Sequence, residues 1–118
     1  MSLVMKKYRY NHKDYLVYER NLLAREFDAN EWQTICNNDL GVGVDFIIEI
    51  INTQIFVYDM YGQKIDLNQD LQFVIDYHEG ILKDNNILAQ FTRDIEVRFT
   101  NYYINKLANL VTKKAYSA

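Results

Sequence analysis

The sequence predicts an α+β domain, a mixed or largely antiparallel sheet with one well-covered helix. Three observations predict it. Short β-prone runs recur along the chain, the segment near residues 68–79 carries helical signals at both ends, and no linker or repeat divides the 118 residues. That length holds one domain, spanning 1–118. A composition of 49% hydrophobic and 25% charged residues is that of an ordinary core rather than a disordered chain.

The elements follow in order. Met1-Ser2-Leu3 reads as a vector remnant, given the second methionine at Met5, and is left out of the fold reasoning. Lys7 to Tyr10 and Tyr15 to Glu19 are β-prone runs separated by the polar turn Asn11-His12-Lys13-Asp14. Arg20 to Phe27 has helical propensity without a clean face. Asp28 with Glu31 has capping-box spacing, so a helix should run from Ala29 to about Cys36, with Trp32, Ile35 and Cys36 on one side. Gly41-Val42-Gly43-Val44 leads into a strand over Asp45 to Ile51, and Asn52-Thr53 suits a two-residue hairpin turn into Gln54 to Met60. The strongest helix spans about Asn68 to Glu79. Its apolar residues spread beyond one narrow stripe, which predicts cover on most sides, and Gly80 is placed to close its last turn. Ile87 to Phe91 and Asp94 to Thr100 read as strands, the second with Ile95, Val97 and Phe99 inward and Glu96, Arg98 and Thr100 wet. Ile104, Leu107, Leu110 and Val111 give Tyr102 to Lys114 a helical period.

Charge and composition exclude several functions. Thirteen Lys and Arg against sixteen Asp and Glu leave a net charge of -3, which argues against a general phosphate-backbone binder, so no nucleic-acid partner is expected. No apolar run approaches the roughly 20 residues of a membrane span. A single cysteine and no secretory opening point to the cytoplasm. His12 and His78, the only histidines, lie too far apart in sequence to suggest a metal cluster. No cofactor is expected.

One segment carries a resemblance. Ile35-Cys36-Asn37-Asn38-Asp39-Leu40-Gly41-Val42-Gly43-Val44-Asp45 resembles Leu-Cys-Asp-Arg-His-x-Gly-Ile-Gly-Ala-Asp of the diaminopimelate epimerases, and its neighbours fall in order. Tyr8 to Val17 is similar to the family opening Met-His-Gly-Leu-Gly-Asn-Asp-Phe-Val-Val. Phe56 to Gly62 sits where the family has a strand ending Phe-Asn-x-Asp-Gly, and the helix near Asn68 follows at the family's distance. The resemblance covers roughly residues 8 to 82. It implies one half of a two-half fold, each half wrapping a sheet around a central helix, with substrate between them. The family comprises cofactor-independent isomerases of lysine biosynthesis, in which one cysteine from each half works as a two-base pair on the α-carbon.

The departures remove that chemistry. Cys-Gly-Asn-Gly of the family aligns with Asn68-Gln69-Asp70-Leu71, so the catalytic cysteine is Asn68, and an amide is no proton-abstracting base. Gln69 and Leu71 stand where glycines let backbone N–H groups reach a substrate carboxylate, and Asp66 and Asp70 would repel that anion. Two family asparagines become Lys13 and Asp59. The family's second half, with its cysteine, has no counterpart in 118 residues, so no catalytic residue is assigned and the chain alone is expected to be inert. Gly41, Gly43 and Asp45 match a structural motif, the glycines serving an unusual turn and Asp45 capping it by local hydrogen bonds.

The remaining features have plain readings. Cys36 should be a buried structural thiol. His12 should be an exposed turn residue, and His78 should complement the dipole at its helix C-terminus. Tyr58, Tyr61, Tyr102 and Tyr103 either line an interaction surface or straddle the core boundary. Two functions therefore stand open: a degenerate epimerase-like N-terminal domain, or an interaction and regulatory module pairing through the face that meets the family's other half. Its partner would be a second copy or a complementary chain. A third reading keeps weak amino-acid binding near Lys13, Asp59 and Asn68.

Overall fold

The computed structural model describes residues 3–22 and 24–107. They form a mixed α+β fold with a six-stranded mixed sheet and four helices. The strands are β1 (Leu3–Tyr10), β2 (Lys13–Arg20), β3 (Phe46–Ile51), β4 (Gln54–Asp59), β5 (Lys64–Ile65) and β6 (Phe91–Phe99). The helices are α1 (Ala29–Cys36), α2 (Gln69–His78), α3 (Asn85–Leu88) and α4, over residues 101–107. Sheet order is β5-β4-β3-β2-β1-β6, with β2 and β3 the parallel pair and every other pair antiparallel.

Side-chain alternation along the strands makes two cores. On one face Met5, Leu16, Tyr18 and Ile47 pack with Trp32, Ile35 and Cys36 of α1 and Leu107 of α4. On the other, Tyr8, Tyr10, Tyr15, Val17, Ile48 and Ile50 pack with Leu71, Val74 and Ile75 of α2. Helices on both faces explain why β3, Phe-Ile-Ile-Glu-Ile-Ile, is a near-continuous apolar run. The layout goes beyond the single central helix expected. Helix α2 is covered broadly but unevenly: Leu71, Val74 and Ile75 are buried, Gln69 is exposed, and its other six residues are half-buried.

Local chemistry sets the helix ends as expected. Asp28 accepts from the Glu31 N–H at 2.8 Å and Glu31 accepts from the Asp28 N–H at 3.2 Å, completing the capping box of α1. Asn68 caps α2, and Gly80 beyond it takes φ 75°. The β3–β4 hairpin turns on Asn52-Thr53.

Several expectations need correction. Leu3 belongs to β1, opposite Phe99, because its side chain reaches the α1-face core. The first turn is Asn11-His12 alone, with φ 50° and 66°, and Lys13 and Asp14 already belong to β2. Ile87 and Leu88 lie in α3 rather than a strand, because Asp84 caps that turn by accepting from the Asn86 and Ile87 N–H groups. Ile95 alternates as expected but is 46% exposed, since β6 is the last strand and no described helix reaches over it. Residues 108–114 of the expected C-terminal helix lie outside the described residues.

His78, expected to complement the helix dipole, hydrogen-bonds through both ring nitrogens. Its Nδ1 shares a hydrogen bond with the Tyr8 hydroxyl at 2.6 Å and its Nε2–H donates to Glu19 at 2.8 Å, tying the end of α2 to β1 and β2. The Glu19 carboxylate can only accept, so Nε2 carries a hydrogen. Tyr8→Phe strips the ring nitrogen of its partner in a half-buried site, and should destabilise the fold by about 1–2 kcal/mol in urea denaturation.

Candidate functional site

Lys13, Asp45 and Asp59 come together at one end of the sheet, whereas Asn68, Gln69, Asp70 and Leu71 line neither of the clefts there. Tyr10 pairs with Lys13, Tyr15 with Phe46, and Phe46 with Asp59, so the last residue of β1 and β4 and the first of β2 and β3 lie side by side. The N-terminus of α2 sits over the same end: Leu71 packs with Tyr10 and Tyr15, and Asp70 is close enough to help raise both phenols.

Two adjoining clefts open there. The larger, about 460 Å³, is lined by Asp14, Gln33, Cys36, Asn38, Gly43 and Asp45 among others. The smaller, about 330 Å³, is lined by Lys13, Asp45, Phe46, Asp59, Met60 and Tyr61. Lys13 and Asp59 thus share a cleft with Asp45, while Lys13 holds its ammonium 5.6 Å from the Phe46 ring centroid.

Most polar groups at this end hold backbone in place. Asp59 Oδ1 accepts from the N–H groups of Tyr61, at 2.9 Å, and Gln63, at 3.0 Å, clasping the β4–β5 turn. Asn68 Oδ1 accepts from the Leu71 N–H at 2.9 Å. Asp45 corrects its expectation: instead of capping its own turn, its Oδ2 accepts from the Asp14 N–H at 2.9 Å, and its own N–H donates to the Asp14 carbonyl. It therefore joins the start of β3 to β2 where the parallel pair begins.

The glycine loop has its own reasons. Gly43 sits at φ 74°, and a Cβ on Gly41 would lie 2.2 Å from the Ile35 carbonyl oxygen, so Gly41 permits the close return of the loop onto α1. Lys7, unnoticed in the sequence, is buried beneath the loop and donates to the carbonyls of Val42 at 3.1 Å and Gly43 at 3.4 Å. Its signal was parity: Lys7 shares the inward register of Met5. Also missed was the pairing of Asp14 with Arg9 at 2.8 Å, directly across the β1–β2 hairpin, and with Arg93 at 3.8 Å, the latter visible only once β6 is placed beside β1.

Cys36 is buried, as expected of a structural thiol. Burial, with Asp59 and Asp45 nearby, pushes its pKa up to about 12, so the thiolate is scarce at neutral pH. The phenols of Tyr15 and Tyr58 are also pushed up to about 12, chiefly by burial. All three pKa values stand above their ordinary ones, so each group contributes stability that is complete below its unfolded pKa and lost as pH rises through the folded one. Urea midpoints should hold steady up to about pH 9 and fall between there and about pH 12. Over the same lower range a thiol reagent should label Cys36 far faster in denaturant than in buffer.

His12 is exposed, as expected for a turn residue. The tyrosines divide: Tyr61 and Tyr102 are exposed, whereas Tyr58 and Tyr103 are half-buried and donate to Glu49 and the Leu40 carbonyl. Among the described residues no group of three or more His, Cys, Asp or Glu could hold a metal ion. No described helix is long and apolar enough to cross a membrane. No protein-family model matches the chain, and no curated protein matches its sequence.

Proposed function

We propose that this chain is a non-catalytic domain of the diaminopimelate-epimerase type, built like the N-terminal half and lacking racemase activity by itself. One observation carries the reading: Asn68, at the position that the resemblance gives to the catalytic cysteine, spends its side-chain oxygen capping α2 at Leu71. The element order supports it too, with a β-hairpin, α1, the β3–β4 hairpin and then α2 in the sequence the family uses. Lys13 and Asp59 share a cleft at the sheet end where Leu71, in the first turn of α2, joins the core cluster of Tyr10 and Tyr15, as a substrate-binding relative would need. The chemistry has no agent in this chain. An amide cannot abstract an α-proton, the single cysteine is a protonated thiol, and the family's mechanism needs two opposed thiols. Incubating the chain with diaminopimelate in deuterated water should leave the α-position unlabelled.

A specific observation favours a second reading, in which this end of the sheet binds another protein. Met60, Tyr61 and Leu67 are exposed at the rim of the clefts and the approach to α2, an arrangement suited to burial against a complementary surface. A Met60→Ser/Tyr61→Ser variant should then lose the partner that the wild-type chain captures, while keeping its thermal midpoint.

A further inference from the structure

We infer that β6 is a self-pairing edge, through which two copies of the chain join their sheets antiparallel about a two-fold axis at Val97. The inference is independent of the epimerase reading. Strand β6 ends the sheet on the side away from β5, and among the described residues no strand pairs with its outer edge. An edge of nine residues presents unpaired N–H and C=O groups, and such an edge is a template for another strand. Charges on an edge usually guard it. Here they select one register.

With the axis at Val97, each cross-strand pair from Ile95 to Phe99 is complementary. Glu96 faces Arg98 of the second copy and Arg98 faces its Glu96, two opposite-charge pairs on the α2 side of the sheet. Within one copy these two residues already touch at 3.5 Å, so the dimer closes a ring of four alternating charges. On the α1 side Val97 meets Val97 and Ile95 meets Phe99 twice, extending the apolar core over the 46% exposed Ile95. Other registers are penalised. An axis at Glu96 or Arg98 sets that charge against itself, and one at Ile95 sets Asp94 against Glu96. The strand's one irregularity, opposite Arg9 and Tyr10, lies at its other end and leaves this segment regular. After Thr100 the chain turns onto the α1 face, where Tyr103 stacks on Phe99 and Leu107 is buried.

Sedimentation of the full chain, with hydrogen exchange read along β6, tests the inference. At micromolar concentration the mass should be twice the 14.1 kDa of one chain. Glu96→Arg and Arg98→Glu should each raise the dimer dissociation constant at least about tenfold through like-charge pairing. The double exchange, which restores opposite charges in every pair, should return it to near the wild-type value. A monomer at every concentration overturns the inference, and a monomer with slow-exchanging β6 amides assigns the edge to the chain's own terminus. A dimer indifferent to both single reversals overturns it as well, placing the contact on another face.

Discussion

Glu49→Ala should destabilise the fold by about 2–3 kcal/mol, because it leaves the buried Arg20 guanidinium with only the exposed Glu26 carboxylate as partner. Arg20 Nε donates to Glu49 at 2.8 Å, and the two side chains are only 7% and 5% exposed. Tyr58 donates to the same carboxylate at 3.3 Å, and Glu26 meets the outer edge of the guanidinium at 2.9 Å. The pair bridges Arg20 at the end of β2 and Glu49 within β3, in a parallel pairing no tight turn can fix. Removing Glu49 leaves the inner Nε–H of Arg20 unpaired, with only the exposed Glu26 on its outer edge, whereas removing both partners leaves no buried charge. Arg20→Met/Glu49→Leu should therefore recover much of the loss, since apolar replacements of similar volume often match a buried ion pair. Urea denaturation of the two variants measures the contrast. Equal losses would show that side-chain shape, rather than the stranded charge, sets the cost.

Gly62→Ala is the second large effect, at about 3–5 kcal/mol. Gly62 holds φ 76°, and a Cβ there would lie 2.0 Å from the carbonyl oxygen of Ala29. Strain and backbone collision thus add at one position. The β4–β5 turn presses against the first turn of α1, and Asp59 clasps the same turn from the other side. The substitution should lower the thermal midpoint steeply. It should also shift the NMR signals of Met60 and Tyr61, which line the cleft, together with those of Ala29 and Asn30. A midpoint unchanged within error would mean that the turn does not bear on α1 as described.

Where local chemistry dominates, the sequence was legible. Asp28 with Glu31, the Asn52-Thr53 turn and Gly80 each act within a few residues of themselves and are placed by spacing alone, while Asn68, expected as the first helical residue, instead caps α2. Where a residue's role depends on a distant strand, it was not. The expected strand at Ile87 failed because Asp84 supplies a cap just upstream, a local signal that the apolar run outweighed. Ile95 has the alternation of a core residue, yet its exposure follows from β6 being an edge, which sequence does not record. The candidate site divides in the same way. Lys13, Asp45 and Asp59 were found by motif and do share a cleft, but Lys7 beneath the glycine loop and the Tyr8–His78–Glu19 chain join residues 35 to 70 positions apart. Asp45 was assigned to the right loop and the wrong bond, because its partner Asp14 lies on the strand that becomes its parallel neighbour.

Asn68 caps α2 at the position that the proposed family reading gives to a catalytic thiol. The most direct measurement is α-proton exchange from diaminopimelate in deuterated water, followed by mass spectrometry, for the wild-type chain and for Asn68→Cys. The proposed reading predicts no label above the enzyme-free control in either, because a single thiol at position 68 has no opposed partner in this chain and Gln69 and Leu71 stand where the resemblance gives the family's anion-binding glycines. Catalytic labelling by the wild-type chain, abolished by Asn68→Ala, would contradict it.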